Sequence, residues 1–156
     1  MIKLKPIGKQ KNIALIAHDN LKDMMVNWCM KNKEVLKKLQ LCGTGTTSKR
    51  ISEATGLEVY GYNSGPLGGD QQIGARIAEG KIDMVIFFSD PLSAHPHDPD
   101  VKALLRLAQV FDIPIANNET TADFIITSPF MDMEYPRDLM KVENKSEVWQ
   151  NRYLNN

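Results

Sequence analysis

The chain has little of what would direct it to a membrane, an oxidising compartment or a polyanion. Among 156 residues only Cys29 and Cys42 are cysteines, aromatic residues make up 7%, and 19 lysines and arginines balance 19 aspartates and glutamates. The missing net charge removes the electrostatic footprint expected of a nucleic-acid binder or of a protein held on an anionic membrane. No window approaches the ~20 apolar residues of a membrane span. The N-terminal "MIKLKPIGKQKN" contains no run long enough for the hydrophobic region of a signal peptide, so the expected location is the cytoplasm. The two cysteines lack metal or redox spacing. One falls in a helical pattern and the other at the end of a strand pattern, and both are expected as buried or half-buried free thiols.

What is present fits one globular domain. At 42% hydrophobic, a chain of this length buries about two thirds of its unfolded surface. The runs "NIALIA" (12–17), "LQLCG" (39–43), "LEVYGY" (57–62), "DMVIFF" (83–88) and "IPIAN" (113–117) predict strands. Between them Leu21, Met24, Met25, Trp28 and Cys29 recur at helical spacing, as do Ile73, Ile77 and Ala78, and Val101, Leu104, Leu105, Ala108 and Val110. Near-continuous apolar strands are buried on both faces, and their alternation with helices predicts a three-layer α/β sandwich around a mostly parallel, five-stranded, Rossmann-like sheet. Residues 1–156 are read as a single domain. After Phe130 the pattern fades, and 131–156 is read as a C-terminal arm with Val142, Trp149 and Tyr153 as its candidates for docking on the core.

In such a sheet, ligands bind beyond the carboxyl ends of the strands. The segments found there are "AHDNLK" (17–22), "GTGTTS" (43–48), "NSGPLGGD" (63–70), "SDPLSAHPHDPD" (89–100) and "NNETTAD" (117–123), and they hold all three histidines, His18, His95 and His97. "GTGTTSKRISEAT" follows a strand and opens a helix. Its backbone N–H groups and the hydroxyls of Thr44, Thr46, Thr47 and Ser48 can surround a phosphate, or can simply cap the helix after a glycine turn. It is neither a Walker loop nor a dinucleotide fingerprint. Lys22, one turn into the helix after the first strand, opposes the helix dipole, which makes sense if an anion is bound nearby. Asp19 reads more simply as a helix cap, and His18 is either a strand-end histidine or a ligand contact. His95, His97, Asp98 and Asp100 sit close enough to suggest a metal, but Pro96 and Pro99 argue for a stiff turn, and a zinc would need His18 or Asp70 from another loop. Asp98 or Asp100 caps the helix that starts near Pro99. Asp70 follows Gly65, Pro66, Gly68 and Gly69. Alone it is a helix cap; among the other strand-end segments it is a candidate base beside imidazoles and an anion cradle.

The ordered set "AHD", "TGTT", "SGPLGGDQQ", "GKID" with "FF.DPL", "PHDPDVKALLRLA" and "TADFI" resembles the methylglyoxal synthase family from about Asn12 to Pro129. The resemblance implies conversion of dihydroxyacetone phosphate to methylglyoxal and inorganic phosphate, a glycolytic bypass, by a homohexamer without metal or organic cofactor; the balanced charge and the lack of an apolar span add the expectation of no nucleic-acid or membrane partner. It assigns Asp70 as catalytic base, with Asp100 as a supporting carboxylate and His97 as a further catalytic residue. His97 and His18 become substrate contacts, either of which can donate a hydrogen bond to the carbonyl oxygen, and Lys22, Thr44, Gly45, Thr46, Thr47, Ser64 and Gly65 phosphate-binding or substrate-binding positions. Two other readings share the fold: a regulatory module resembling the effector-binding domain of carbamoyl phosphate synthetase, and a triose phosphate isomerase-like activity. A module needs the anion cradle but no base.

Overall fold

The computed structural model describes residues 2, 3, 5–94 and 98–139. A short strand β1 (Ile2–Lys3) leads into β2 (Asn12–Ala17), which is followed by α1 (Lys22–Lys31), α2 (Lys33–Leu36), β3 (Gln40–Thr44), α3 (Gly45–Thr55) and β4 (Val59–Tyr62). The second half runs α4 (Gly69–Ala78), β5 (Met84–Phe88), α5 (Asp98–Val110), β6 (Ile115–Ala116), α6 (Glu119–Ile126) and β7 (Asp138–Leu139). The main sheet has the order β4-β3-β2-β5-β6, and every neighbouring pair in it is parallel.

Side-chain alternation along the central strands builds the layers. Ile13, Leu15 and Ala17 of β2 join Met84, Ile86 and Phe88 of β5 in one core with Trp28, Ile51 and Ala122, so α1, α3 and α6 cover that face. Ala14, Ile16, Val85 and Phe87 project the other way, into a core with Ile73, Ile77, Leu104 and Ala108 from α4 and α5. Each fully buried aliphatic side chain contributes about 1.5–3 kcal/mol, and these strands supply them on both faces. The indole Nε1 of Trp28 donates to Asp123 at 2.8 Å, tying α1 to α6. Cys29 and Cys42 are free thiols, and burial pushes each up to about 12.

The expected five-stranded sheet is parallel throughout, and a separate antiparallel pair, β1 with β7, joins the two ends of the described chain. Most of the segment 117–123 is helical: Asn118 accepts the Thr121 N–H at 2.8 Å and thereby opens α6 at Glu119. The threonine-rich segment opens a helix, as expected, and forms the first turn of α3. The described part of 131–156 lies against the start of the chain through the Ile7 and Tyr135 bridge and the buried Arg137, whose guanidinium donates to the carbonyls of Lys5 and Phe111. Val142, Trp149 and Tyr153 lie outside the described residues, as do His95 and Pro96.

The topology places the crevice. From β2 the chain steps outward through β3 to β4, then crosses to the other side of β2 to form β5. The direction reverses at β2, and the space beyond its carboxyl end, after Ala17, is where such a sheet opens for a ligand.

Candidate active site

A cavity of about 270 Å³ lies there, its wall made from segments following β2, β3 and β4 and from Phe87 of β5. It is smaller than the usual drug-sized pocket and suits a compact metabolite. His18, Lys22, Thr44, Thr46, Thr47, Ser64, Gly65 and Asp70 all line it, together with Asp19, Pro66 and the apolar Ile16 and Ala17. Gly45 supports the wall from behind. Its φ of +25° and the 2.8 Å that would separate a Cβ from the Ser64 Cα let the start of α3 press against the segment after β4.

One end of the cavity is built from the start of α3 and from Lys22, the first residue of α1. Thr44 is the N-cap of α3, yet its side chain makes no capping bond, so hydroxyl capping does not account for this threonine. The first N–H groups of a helix have no partner within it and favour an anion. Lys22 is the first residue of α1, and its Nζ donates to Thr46 Oγ1 and to Asp19 Oδ1, each at 2.6 Å. The ammonium is therefore fastened at the α3 N-terminus rather than loose in solvent; its side chain is only 16% exposed. Asp19 does not cap α1. Residues Asp19–Leu21 form a 3-10 turn, Leu21 occupies the cap position, and Asp19 serves as a partner of Lys22.

At the other end stands Asp70, 4% exposed. The N-cap of α4 is Gly68, at φ 93°, and Asp70 is the second helical residue, so the cap reading is corrected. The carboxylate faces a backbone without side chain: a Cβ on Gly65 would stand 3.5 Å from Asp70 Oδ2. Asp100 lies in the first turn of α5 and is not part of the cavity wall; it is joined to the neighbour of Asp70 by a 2.8 Å hydrogen bond donated by Gln71 Nε2. Asp98 begins α5. His97 lies outside the described residues. Among the described residues no group of three or more His, Cys, Asp and Glu could hold a metal ion.

His18 is 7% exposed, and its ring meets Phe87 edge-on at 5.3 Å. The backbone N–H of Asp90 donates to its Nδ1 at 3.0 Å. A ring nitrogen that accepts such a bond carries no proton, so the neutral imidazole holds its proton on Nε2 and is a hydrogen-bond donor there. Asp90 was not among the residues singled out from the sequence. Its carboxylate accepts from Asn20 Nδ2 and from the N–H of Leu92, each at 2.9 Å, which bridges the loops after β2 and β5. The bond to Leu92 is an Asx turn, and the Asp-Pro pair of "SDPL" was its only sequence signal.

A second cavity, about 350 Å³, lies near the opposite end of β2 against Ile7, Met84, Phe130 and Tyr135. Its walls are mostly apolar. Its cation, Lys11, gives its protons to the carbonyls of Gly8 and Met133 at 2.5 Å, and burial lowers its pKa. Of these two cavities, the carboxyl-end one brings together threonine hydroxyls, a lysine, a neutral imidazole donor and a carboxylate.

The chain matches the family model of the MGS-like domain over residues 24–117. It is 58% identical over 139 residues to the methylglyoxal synthase of Clostridium acetobutylicum, covering 89% of this chain and 96% of that protein. A methylglyoxal synthase of Leptospira interrogans is 58% identical over 135 residues, 86% of this chain and 91% of its own. The crystal structure of methylglyoxal synthase from Elizabethkingia anophelis NUHP1 superimposes with a TM-score of 0.85 at 49% identity, covering 90% of this chain and 92% of that one.

Proposed function

The chain belongs to the methylglyoxal synthase family, and from that premise we propose how its cavity turns dihydroxyacetone phosphate into methylglyoxal and inorganic phosphate. The activity is that of a carbon–oxygen lyase acting on a phosphorylated triose. Its phosphate sits at the start of α3, among Thr44, Gly45, Thr46 and Thr47, with Lys22 and the backbone of Ser64 and Gly65 closing around it. Asp70 removes a proton from the carbon beside the carbonyl. The electron pair moves to the carbonyl oxygen as an ene-diolate forms, and His18, held as an Nε2 donor by Asp90, stabilises the developing negative charge; a donor placed in this way is worth about 2.7–4 kcal/mol. His97 is assigned to the same substrate and Asp100 to support of the acid–base set.

An ene-diolate can be reprotonated, giving an isomerase, or can expel phosphate. Expulsion needs the bridging C–O bond perpendicular to the ene-diolate plane, so that its σ* orbital overlaps the π system. A cradle built from one helix start and a fastened lysine holds the phosphate at one angle, and we assign the choice of elimination to it. The C–O electron pair leaves with phosphate, Lys22 and the α3 amides stabilise the dianion, and the enol tautomerises to methylglyoxal. The steps use only protein acid–base groups, without metal or organic cofactor. We further assign the enzyme to the cytoplasm as a homohexamer with no nucleic-acid or membrane partner, and read 1–156 as one domain with 131–156 as its arm. No helix among the described residues is long and apolar enough to cross a membrane.

The observation that carries the reading is the convergence of Asp70, His18 and the Lys22 and Thr46 pair on one small cavity. The test is to incubate the pure protein with dihydroxyacetone phosphate and measure phosphate and methylglyoxal. Equal release of both is expected. Glyceraldehyde 3-phosphate without phosphate release would mean an isomerase, and no conversion would mean a binding module.

A further inference from the structure

Two residues beyond the proposed base, Gln72 reaches back out of α4, and its Oε1 accepts the N–H of Asn63 at 2.9 Å. Asn63 comes just after β4, whose last registered pair with β3 is Thr44 with Tyr62. Its N–H therefore lies past the sheet ladder. Its carbonyl is gripped from the same helix, because Gly69 lies so close that a Cβ there would stand 1.9 Å from Asn63 O. The following turn is closed internally by the N–H of Gly69 to Ser64 O at 3.0 Å and by Asn63 Nδ2 to Leu67 O at 3.2 Å. Asn63 is thus the point from which this turn is set, and Ser64 and Gly65 come next. Ser64 abuts Gly45 at the start of α3, and Gly65 abuts the carboxylate of Asp70.

We propose that Gln72 is a positioning residue for the reaction: its amide oxygen sets the Ser64 and Gly65 wall, and with it the spacing between the anion cradle and Asp70. The inference rests on the function assigned to this cavity. Gln72 is exposed and belongs to neither hydrophobic core. Water can replace it as partner of the Asn63 N–H at little cost in stability, but water does not hold the wall at a fixed distance from α4.

The test compares Gln72→Leu, which has no acceptor, with Gln72→Glu, whose carboxylate accepts the same N–H. Turnover and KM on dihydroxyacetone phosphate, binding of inorganic phosphate by calorimetry, and the melting temperature are measured for each. A displaced wall is expected to lower the kcat of Gln72→Leu about tenfold and to weaken phosphate binding several-fold, while the melting temperature stays within a few degrees. Gln72→Glu is expected to return both to within about threefold of wild type. Wild-type kcat and phosphate affinity in Gln72→Leu overturn the proposal. So does a Gln72→Glu protein as impaired as Gln72→Leu, or a large fall in melting temperature with kcat unchanged. Wild-type protein in the same assay separates the two levels: if it releases no phosphate from the triose, the assigned function fails, and calorimetry still decides whether Gln72 shapes the anion site.

Discussion

Gly69→Ala tests the geometry around the base directly. The backbone of Gly69 lies in the ordinary helical region, as the first residue of α4, and conformation alone would admit alanine there. Space does not. The new Cβ would stand 1.9 Å from Asn63 O, 2.9 Å from Asn63 C and 3.0 Å from Thr44 Cγ2. A carbonyl oxygen needs at least about 3 Å from a methyl carbon, so the Asn63 peptide must retreat by about 1 Å or α4 must shift by the same amount. Overpacking of this kind costs about 1–3 kcal/mol, which for a chain of this size lowers the melting temperature by roughly 2–12 °C. The effect on rate is larger, because a misplacement of about 1 Å at reacting groups can cost ~10²-fold, and the Asn63 peptide leads straight into Ser64 and Gly65. Phosphate release from dihydroxyacetone phosphate should therefore fall about 100-fold in a protein that still melts cooperatively. Gly8→Ala is the control: its Cβ meets only Gln10 O, at 3.7 Å, far from the cavity, and both measurements should stay at wild-type values. A Gly69→Ala enzyme within threefold of wild-type turnover would refute the claim that this close approach sets the site.

Other perturbations separate the groups of the cavity. His18→Ala removes the donor that Asp90 orients, and kcat should fall by about 10²–10³ with KM changed far less; an equal rise in KM at constant kcat would show His18 to be a binding residue only. Lys22→Ala removes a cation fastened to Thr46, and inorganic phosphate should bind about 10- to 100-fold more weakly by calorimetry, whereas unchanged affinity would confine Lys22 to its pairing with Asp19. Burial holds both thiols near 12 against an ordinary 9.0, so the native protein should resist thiol reagents at pH 8 while the unfolded chain reacts at once. The linkage has a definite sign: between pH 9 and 12 the unfolded thiols lose protons that the folded ones keep, so stability falls with rising pH by up to about 1.4 kcal/mol per pH unit per thiol. Melting temperatures that do not fall above pH 9 would contradict that burial.

Much of this was readable along the chain because hydrophobic burial writes itself into local pattern. The strands carry unbroken apolar runs at 13–17 and 84–88 since both faces are covered, and the helices between them repeat at their own period. The rule that ligands gather at strand carboxyl ends then located the cavity without any side-chain geometry. The β1 and β7 pair was not readable: two residues each, brought together by the rest of the fold, carry no periodic signal. The start of α6 carried no helical period because Asn118 spends its side chain on a cap rather than on a core. Asp90 and Gln72 were missed for a related reason. Each acts at a backbone N–H, Asp90 by donating its own to His18 and Gln72 by accepting that of Asn63. Such bonds depend on where two distant segments meet. Asp70 shows the opposite case: at a helix start it looked locally like a cap, and the fold gave that position to Gly68 and left the carboxylate on the cavity wall.

The central claim is that Asp70 moves the proton, and Asp70→Asn tests it with almost no change in shape. Phosphate release from dihydroxyacetone phosphate should drop by about 10²- to 10⁴-fold or more, while calorimetry shows inorganic phosphate bound as in wild type. Turnover near that of wild type in this variant would contradict the assignment and move the base elsewhere in the cavity.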